Sequence, residues 1–331
     1  MKTVSITILL AVILGALILA NALFQPFMSL PVPGDFECLS AQAGHGERKS
    51  WEFRPRHIFG MGLTYAGHIR ESAGIYKTGM RPPVFLKSAS ALNTENTVKL
   101  PSREDLLNQW RTVDAGFAEQ VQSKVTDLPA LMDYEVELGL VLLDDISRAQ
   151  LRDPAFAPNI GFFIANDITA RTIVVANETD ATLNQYLGLS KSFPGFLPVN
   201  PEIWVPYVAT PQSLLCTELT TRVNGEVRQR QKTSDLIYTP KEMLQFITEA
   251  YPDMELLKGD LVLTGTPAGI ALQVPAWKQR LSQVVNLDRE TKLAIVLGNN
   301  LENDRFLKAG DRVTVGATGF SEKTVQVIRA D

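Results

Sequence analysis

The stretch Asp133-Tyr134-Glu135-Val136-Glu137-Leu138-Gly139-Leu140 sets two carboxylates two positions apart in an otherwise apolar run. Alternate side chains of a strand share one face, so Glu135 and Glu137 point together while Tyr134, Val136 and Leu138 point the other way. Two carboxylates at that spacing repel unless something positive lies between them. A hard divalent cation meets that need; a solvated strand face is the alternative for a bare acid pair.

A second apolar run, Ile160-Gly161-Phe162-Phe163-Ile164-Ala165-Asn166-Asp167, reads as a buried strand with an acid at its end, which makes Asp167 a candidate third ligand. Three carboxylates against one dication leave a net negative site. Arg171, Lys191 and Lys87 are cations able to rebalance it and to hold an anionic substrate. His68 and Glu71 stand at i and i+3, so they meet on one helical turn. A carboxylate that orients an imidazole suits a general base acting on water, although a surface His–Glu contact uses the same spacing. In Gly259-Asp260 through Thr264-Gly265-Thr266-Pro267-Ala268-Gly269 a strand enters a Gly-rich turn. Its backbone N–H groups and the Thr266 hydroxyl can bind a carboxylate, and no G-K-[ST] follows to make it a P-loop.

Composition narrows the metal. Three histidines (His45, His57, His68) and two cysteines (Cys38, Cys216) exclude a His-rich centre, a four-Cys zinc site and a disulfide scaffold, so the ligands must be mostly oxygen, which points to Mg²⁺, Mn²⁺ or Ca²⁺. His45 and His57 read as surface or packing residues, and Cys216 as a core residue. Pairing of Cys38 with Cys216 is left open by the spacing. A net charge of −4 argues against a nucleic-acid partner.

Strand-like stretches dominate: Pro83–Leu86, Tyr134–Leu143, Ile160–Ala165, Glu202–Val208, Leu219–Val223, Leu261–Leu263 and Val313–Val315. Ser102–Val125, opening on a capping pattern, and Pro240–Ala250 read as helices, with a third helical excursion in Gln279–Asp304. Few helices alternate with strands, so the fold class is mainly β (α+β) rather than a doubly wound parallel sheet.

The N-terminus stands apart. Val4–Phe24 is almost wholly apolar, about the length of a membrane span. Ala20-Asn21-Ala22 is also an A-x-A cleavage pattern, so residues 1–25 are expected to be an anchor or a signal segment. Lys2 precedes the run and the next charges are acidic, which predicts a membrane-anchored protein with its body extracytoplasmic (periplasmic), or an exported one. Residues 26–50, rich in Pro, Gly and Ser, read as a linker, and the globular body is expected over 51–331.

Taken together, several motifs resemble the fumarylacetoacetate hydrolase family from about Phe59 onward. They are Tyr65-x-x-His68-x-x-Glu71, Pro83-Val84-Phe85-Leu86-Lys87, Asp133 to Leu138, Asn166-Asp167-x-x-x-Arg171, Lys191-Ser192, Val223-Asn224-Gly225-Glu226 with Thr233-Ser234-Asp235, and Gly259-Asp260 through Gly269. The resemblance implies the family's mixed β-roll with peripheral helices, and a homodimer. It implies Mg²⁺ or Mn²⁺ on Glu135, Glu137 and Asp167, and His68, oriented by Glu71, activating water. Lys191 would stabilise or protonate the product carbanion, with Lys87, Arg171 and Thr266 on a 2-oxo acid substrate. The implied activity is C–C bond hydrolysis in a 2,4-dioxo acid. Isomerisation, tautomerisation or decarboxylation of a related 2-oxo acid, and a non-catalytic membrane-tethered module, are the alternatives. The sequence departs from the family's commoner pattern at Leu63-Thr64, at Thr172, at Pro194-Gly195-Phe196 and at Asn200-Pro201. Two insertions, near 96–126 and 279–304, lengthen it.

Overall fold

The structure is a computed structural model and describes residues 31–42, 44–71, 81–177, 179, 181–273 and 288–329. Its centre is a seven-stranded mixed sheet. In spatial order the strands are Gly46–Ser50, Glu202–Pro206, Ile160–Asn166, Val136–Leu142, Leu261–Leu263, Ile58–Met61 and Val84–Lys87. A five-stranded sheet runs Glu226–Lys232, Glu218–Val223, Arg312–Ala317, Lys323–Arg329 and Thr97–Leu100. This β-rich mixed α+β architecture is the expected fold class.

The two central strands, Val136–Leu142 and Ile160–Asn166, are buried along their whole length. Their even-numbered residues (Val136, Leu138, Leu140, Phe162, Ile164) enter one core with Leu219 and Val315 of the five-stranded sheet. Their odd-numbered residues (Val141, Phe163, Ala165) enter a second core with Trp110, Phe117, Val313 and Val325. Both faces are thus covered, which explains why these strands read as continuous apolar runs rather than alternating ones. In the pairing, Glu137 lies opposite Ala165 and Val136 opposite Asn166. The two-residue period therefore delivers Glu135, Glu137 and Asp167 to one end of the odd-numbered face.

Several elements differ from expectation. The strand expected from Tyr134 begins at Val136, because the Glu135 N–H is taken by the Asn166 side chain (3.0 Å) instead of a ladder carbonyl. The single helix expected over Ser102–Val125 is two, Arg103–Arg111 and Ala115–Lys124, with Asp114 capping the second through the Phe117 N–H. Ser102 and Asp105 form a full capping box, as do Thr239 and Glu242 ahead of Pro240–Ala250. The first insertion supplies the Thr97–Leu100 strand, and Arg289, heading the helix Arg289–Asn300 of the second, stacks 3.8 Å from the Phe117 ring centroid.

Within the stretch read as a linker, Gly46–Ser50 pairs with Glu202–Pro206 and Glu37–Leu39 runs parallel to Ser213–Leu215, where Cys38 and Cys216 form a disulfide. The membrane expectation is corrected. Among the described residues no helix is long and apolar enough to cross a membrane. The last helix, Arg289–Asn300, has only 12 residues where a span needs about 20. The apolar run Val4–Phe24 lies outside the described residues, so the anchor, the membrane partner and the extracytoplasmic placement built on it are not carried forward.

Candidate metal and catalytic site

Glu135, Glu137 and Asp167 are buried, and each offers one carboxylate oxygen within 4.8 Å of the others. The donors are all oxygen and convergent, and they fit a hard divalent cation. Each acid is fixed by its surroundings. The Gly265 N–H donates to Glu137 Oε2 at 2.8 Å. The Asp167 N–H donates to the Glu135 carbonyl at 2.8 Å, pinning the two acid-bearing segments together.

Three buried cations surround the triad. Lys191 Nζ lies 2.6 Å from both Glu135 Oε2 and Asp167 Oδ2, and donates to Thr169 Oγ1 at 2.8 Å. Lys87 Nζ donates to Asp167 Oδ1 at 2.5 Å and to the Phe196 carbonyl at 2.8 Å. Arg171 donates through Nε to Asp133 Oδ2 at 2.7 Å and through Nη2 to Glu135. Counting Asp133, and with every acid ionised as a bound dication requires, four carboxylates face three cations, one net negative charge. A dication turns that to one net positive charge, which a substrate carboxylate can neutralise.

The protonation states follow. Burial raises the Glu135 carboxyl, but the Lys191 and Arg171 charges outweigh it and hold the group down at about 2. Among the described residues no cation contacts Glu137, so burial and the charges of Asp167 and Glu135 push it well above the ordinary carboxylate value. Burial, helped by Lys191, draws the Lys87 ammonium down to about 8 against the pull of Asp167. Lys191 itself is raised because the three carboxylates overcome its burial.

His68 sits on the short helix Ala66–Glu71, which packs beside the glycine-rich turn. Its Nδ1 is buried, has no hydrogen-bond partner among the described residues, and lies 3.8 Å from Glu71 Oε2. The Glu71 carboxylate receives the Gly269 N–H at 3.1 Å on both oxygens. Through Glu71 and Gly269, His68 is tied to the same glycine-rich turn whose Gly265 N–H holds Glu137. Thr266 Oγ1 donates to the Val136 carbonyl (3.1 Å) and accepts from Gln229 Nε2 (2.9 Å).

All nine residues singled out from the sequence therefore gather at one end of the central sheet. Lys87, Arg171 and Thr266, expected on the substrate, are engaged with Asp167, with Asp133 and Glu135, and with Gln229. Three organising residues were not singled out. Asp133 receives Arg171 and the Ala271 N–H (2.8 Å). Asn166 caps the Glu135 N–H. Gln229 bridges the Val136 N–H, Thr221 and Thr266. The sequence signs for Asn166 and Asp133 were their adjacency to the acids and their places in the Asn166-Asp167-x-x-x-Arg171 and Asp133 to Leu138 motifs.

The chain is 32% identical over 217 residues to the mitochondrial oxaloacetate tautomerase of Schizosaccharomyces pombe, covering 65% of this chain and 82% of that one. It is 31% identical over 222 residues to an uncharacterised protein of Pyrococcus abyssi (66% and 82%). The fold matches the crystal structure of fumarylpyruvate hydrolase from Pseudomonas aeruginosa in complex with Mn²⁺ and pyruvate, with a TM-score of 0.53 at 20% identity, covering 93% of this chain and 99% of that one. The sequence model described as fumarylacetoacetate (FAA) hydrolase C-terminal matches residues 57–328, and the chain belongs to that family, whose members are enzymes.

Proposed function

We propose that the chain is a divalent-metal-dependent hydrolase that cleaves a C–C bond in a 2,4-dioxo acid, with Mg²⁺ or Mn²⁺ held by Glu135, Glu137 and Asp167. The observation that carries the reading is the buried, convergent acid triad, with the His68–Glu71 pair attached at Gly269 to the same glycine-rich turn whose Gly265 holds Glu137. When bound, the dication supplies Lewis acidity to the 2-oxo acid carbonyl. His68, held by Glu71, takes a proton from water. The hydroxide adds to the distal carbonyl, the bond between C3 and C4 breaks, and its electron pair passes to C3 of the 2-oxo acid product as an enolate. Lys191, raised and kept charged among the carboxylates, faces that developing charge and returns a proton to C3.

A second reading is favoured by the identity to the oxaloacetate tautomerase. Proton movement at C3 by Lys191 then suffices, and water attack is dispensed with. Purified protein incubated with Mn²⁺ or Mg²⁺ and a simple acylpyruvate separates the two, with cleavage products identified by mass spectrometry and enol–keto exchange followed by ultraviolet absorbance. The hydrolase yields pyruvate and a carboxylic acid, and both Glu135→Ala and His68→Ala abolish the yield. Enol–keto interconversion without cleavage, spared by His68→Ala, establishes the tautomerase instead.

A further inference from the structure

Arg289, at the head of the helix Arg289–Asn300 in the second insertion, joins three other elements. Its Nη1 donates to Asp114 Oδ2 at 2.5 Å, its Nε to the Ala176 carbonyl at 3.0 Å and its Nη2 to the Tyr186 hydroxyl at 2.5 Å. The guanidinium also lies 3.8 Å from the Phe117 ring centroid and 5.7 Å from that of Tyr186. A planar fork that donates three ways and stacks at once is a contact that no lysine reproduces.

Two of these partners belong to helices that carry cations of the carboxylate cluster. Arg171 begins the helix Arg171–Val175, and Ala176 caps its other end. Tyr186 lies in the helix Leu183–Lys191, whose last residue is Lys191. The first helix is anchored at its start, where Arg171 donates to Asp133 and Glu135. The second has no side-chain cap at its start, because the Thr182 hydroxyl donates to Asn177 instead (2.6 Å). Its middle rests on the strand that carries Lys87, where Gly188 sits so close to the Leu86 carbonyl that a Cβ would collide with it. Arg289 therefore spans from the far end of an anchored helix to the helix that bears Lys191. Tyr186 precedes Lys191 by five residues, about 7.5 Å along the axis. The Gly188 contact and the Tyr186–Arg289 bond are two points that define where that axis ends.

We propose that Arg289 is a positioning residue: it holds the helix that ends at Lys191, and so sets the Lys191 ammonium between Glu135 and Asp167. This rests on the metal triad of the proposed function and deepens it, since the second insertion then bears on Lys191 through its Arg289.

Calorimetry of Mn²⁺ binding to the full chain tests the role without turnover. An ammonium 2.6 Å from two of the ligand carboxylates opposes a dication there, so loosening it favours the metal. Arg289→Gln is expected to tighten Mn²⁺ binding severalfold while lowering the melting temperature; general damage to the fold would weaken both. Tyr186→Phe removes one hydroxyl and keeps the ring, and should move both quantities in the same directions by less. Arg289→Lys should restore little of the wild-type behaviour. In a Lys191→Met background the affinity change from Arg289→Gln should shrink to within about twofold, since the two residues act in series. On an acylpyruvate that the wild type cleaves, Arg289→Gln should lower kcat about tenfold or more with KM within about twofold. Mn²⁺ affinity unmoved or weakened in both Arg289→Gln and Tyr186→Phe, or changed equally with and without Lys191, overturns the positioning role. Affinity changes as expected in a wild type and variants that cleave no acylpyruvate overturn the hydrolase reading alone. A wild type that binds no Mn²⁺ overturns the proposed function and this role with it.

Discussion

Lys191 Nζ stands 2.6 Å from Glu135 Oε2 with both side chains almost completely buried. An ammonium in that position neutralises a carboxylate that has no water to do so. Removing one partner of a buried pair strands the other, at a cost of about 3–5 kcal/mol. Lys191→Met is therefore expected to lower the metal-free melting temperature sharply, as followed by calorimetry. Added Mn²⁺ should recover part of the loss, because a dication on Glu135 and Asp167 replaces the missing charge. A variant as stable as wild type without metal would show that the pair contributes nothing.

Among the described residues Glu137 is the triad acid without a cation in contact, and its raised value favours a proton there in the metal-free protein. The folded state binds that proton where the unfolded chain does not. Metal-free stability should thus decline as pH rises from the ordinary carboxylate value through the raised one, while the metal-loaded protein escapes the decline. Glu135, held at about 2, acts in the opposite sense: its contribution is present above the ordinary value and is lost only as pH falls toward 2. Mn²⁺ must displace the Glu137 proton, so binding is expected to release about one proton and to tighten with pH. Titration in two buffers of different ionisation enthalpy measures this directly, and Glu137→Gln should abolish the release.

The acids of this site were legible because strand periodicity is a local property. Alternation alone put Glu135 and Glu137 on one face, and the apolar run ahead of Asp167 announced a strand that could end beside them. Targets across the fold were not legible. Gln229 reaches the Val136 N–H across 93 positions of sequence, and no short pattern encodes that. Lys87, Arg171 and Thr266 were recognisable by chemistry, yet their partners depend on which strands lie adjacent. The strands at Glu37–Leu39 and Gly46–Ser50 escaped for a related reason. Their Gly- and Ser-rich surroundings read as coil, and they are held by pairing with distant strands and by the Cys38–Cys216 bond.

Gly265 ties backbone geometry to the metal site. Its φ of 93° lies where side chains are disfavoured, a Cβ there would press on Thr64 Oγ1 and on the Met61 carbonyl, and its N–H holds Glu137. Gly265→Ala is expected to destabilise the fold by about 1–3 kcal/mol in denaturant unfolding. It should also weaken Mn²⁺ binding, because a shifted peptide no longer aims Glu137. Loss of stability with metal affinity unchanged would separate the turn from the site.

Glu71 decides whether His68 is a base or a bystander. Burial raises its carboxyl, but the nearby His68 imidazole (3.8 Å) and the Gly269 N–H outweigh that and hold it below the ordinary carboxylate value. It therefore stays ionised as pH falls through the range in which histidine titrates, between about 5 and 8. Glu71→Gln keeps the shape and removes the charge that orients the imidazole. If His68 activates water, the variant should lose about 10²-fold in kcat, within the range that general base catalysis supplies. Mn²⁺ affinity, measured by calorimetry on the same preparation, should stay within about twofold, because Glu71 contacts Gly269 and His68 rather than the triad. A Gln variant with full kcat would leave proton transfer by Lys191 as the remaining chemistry.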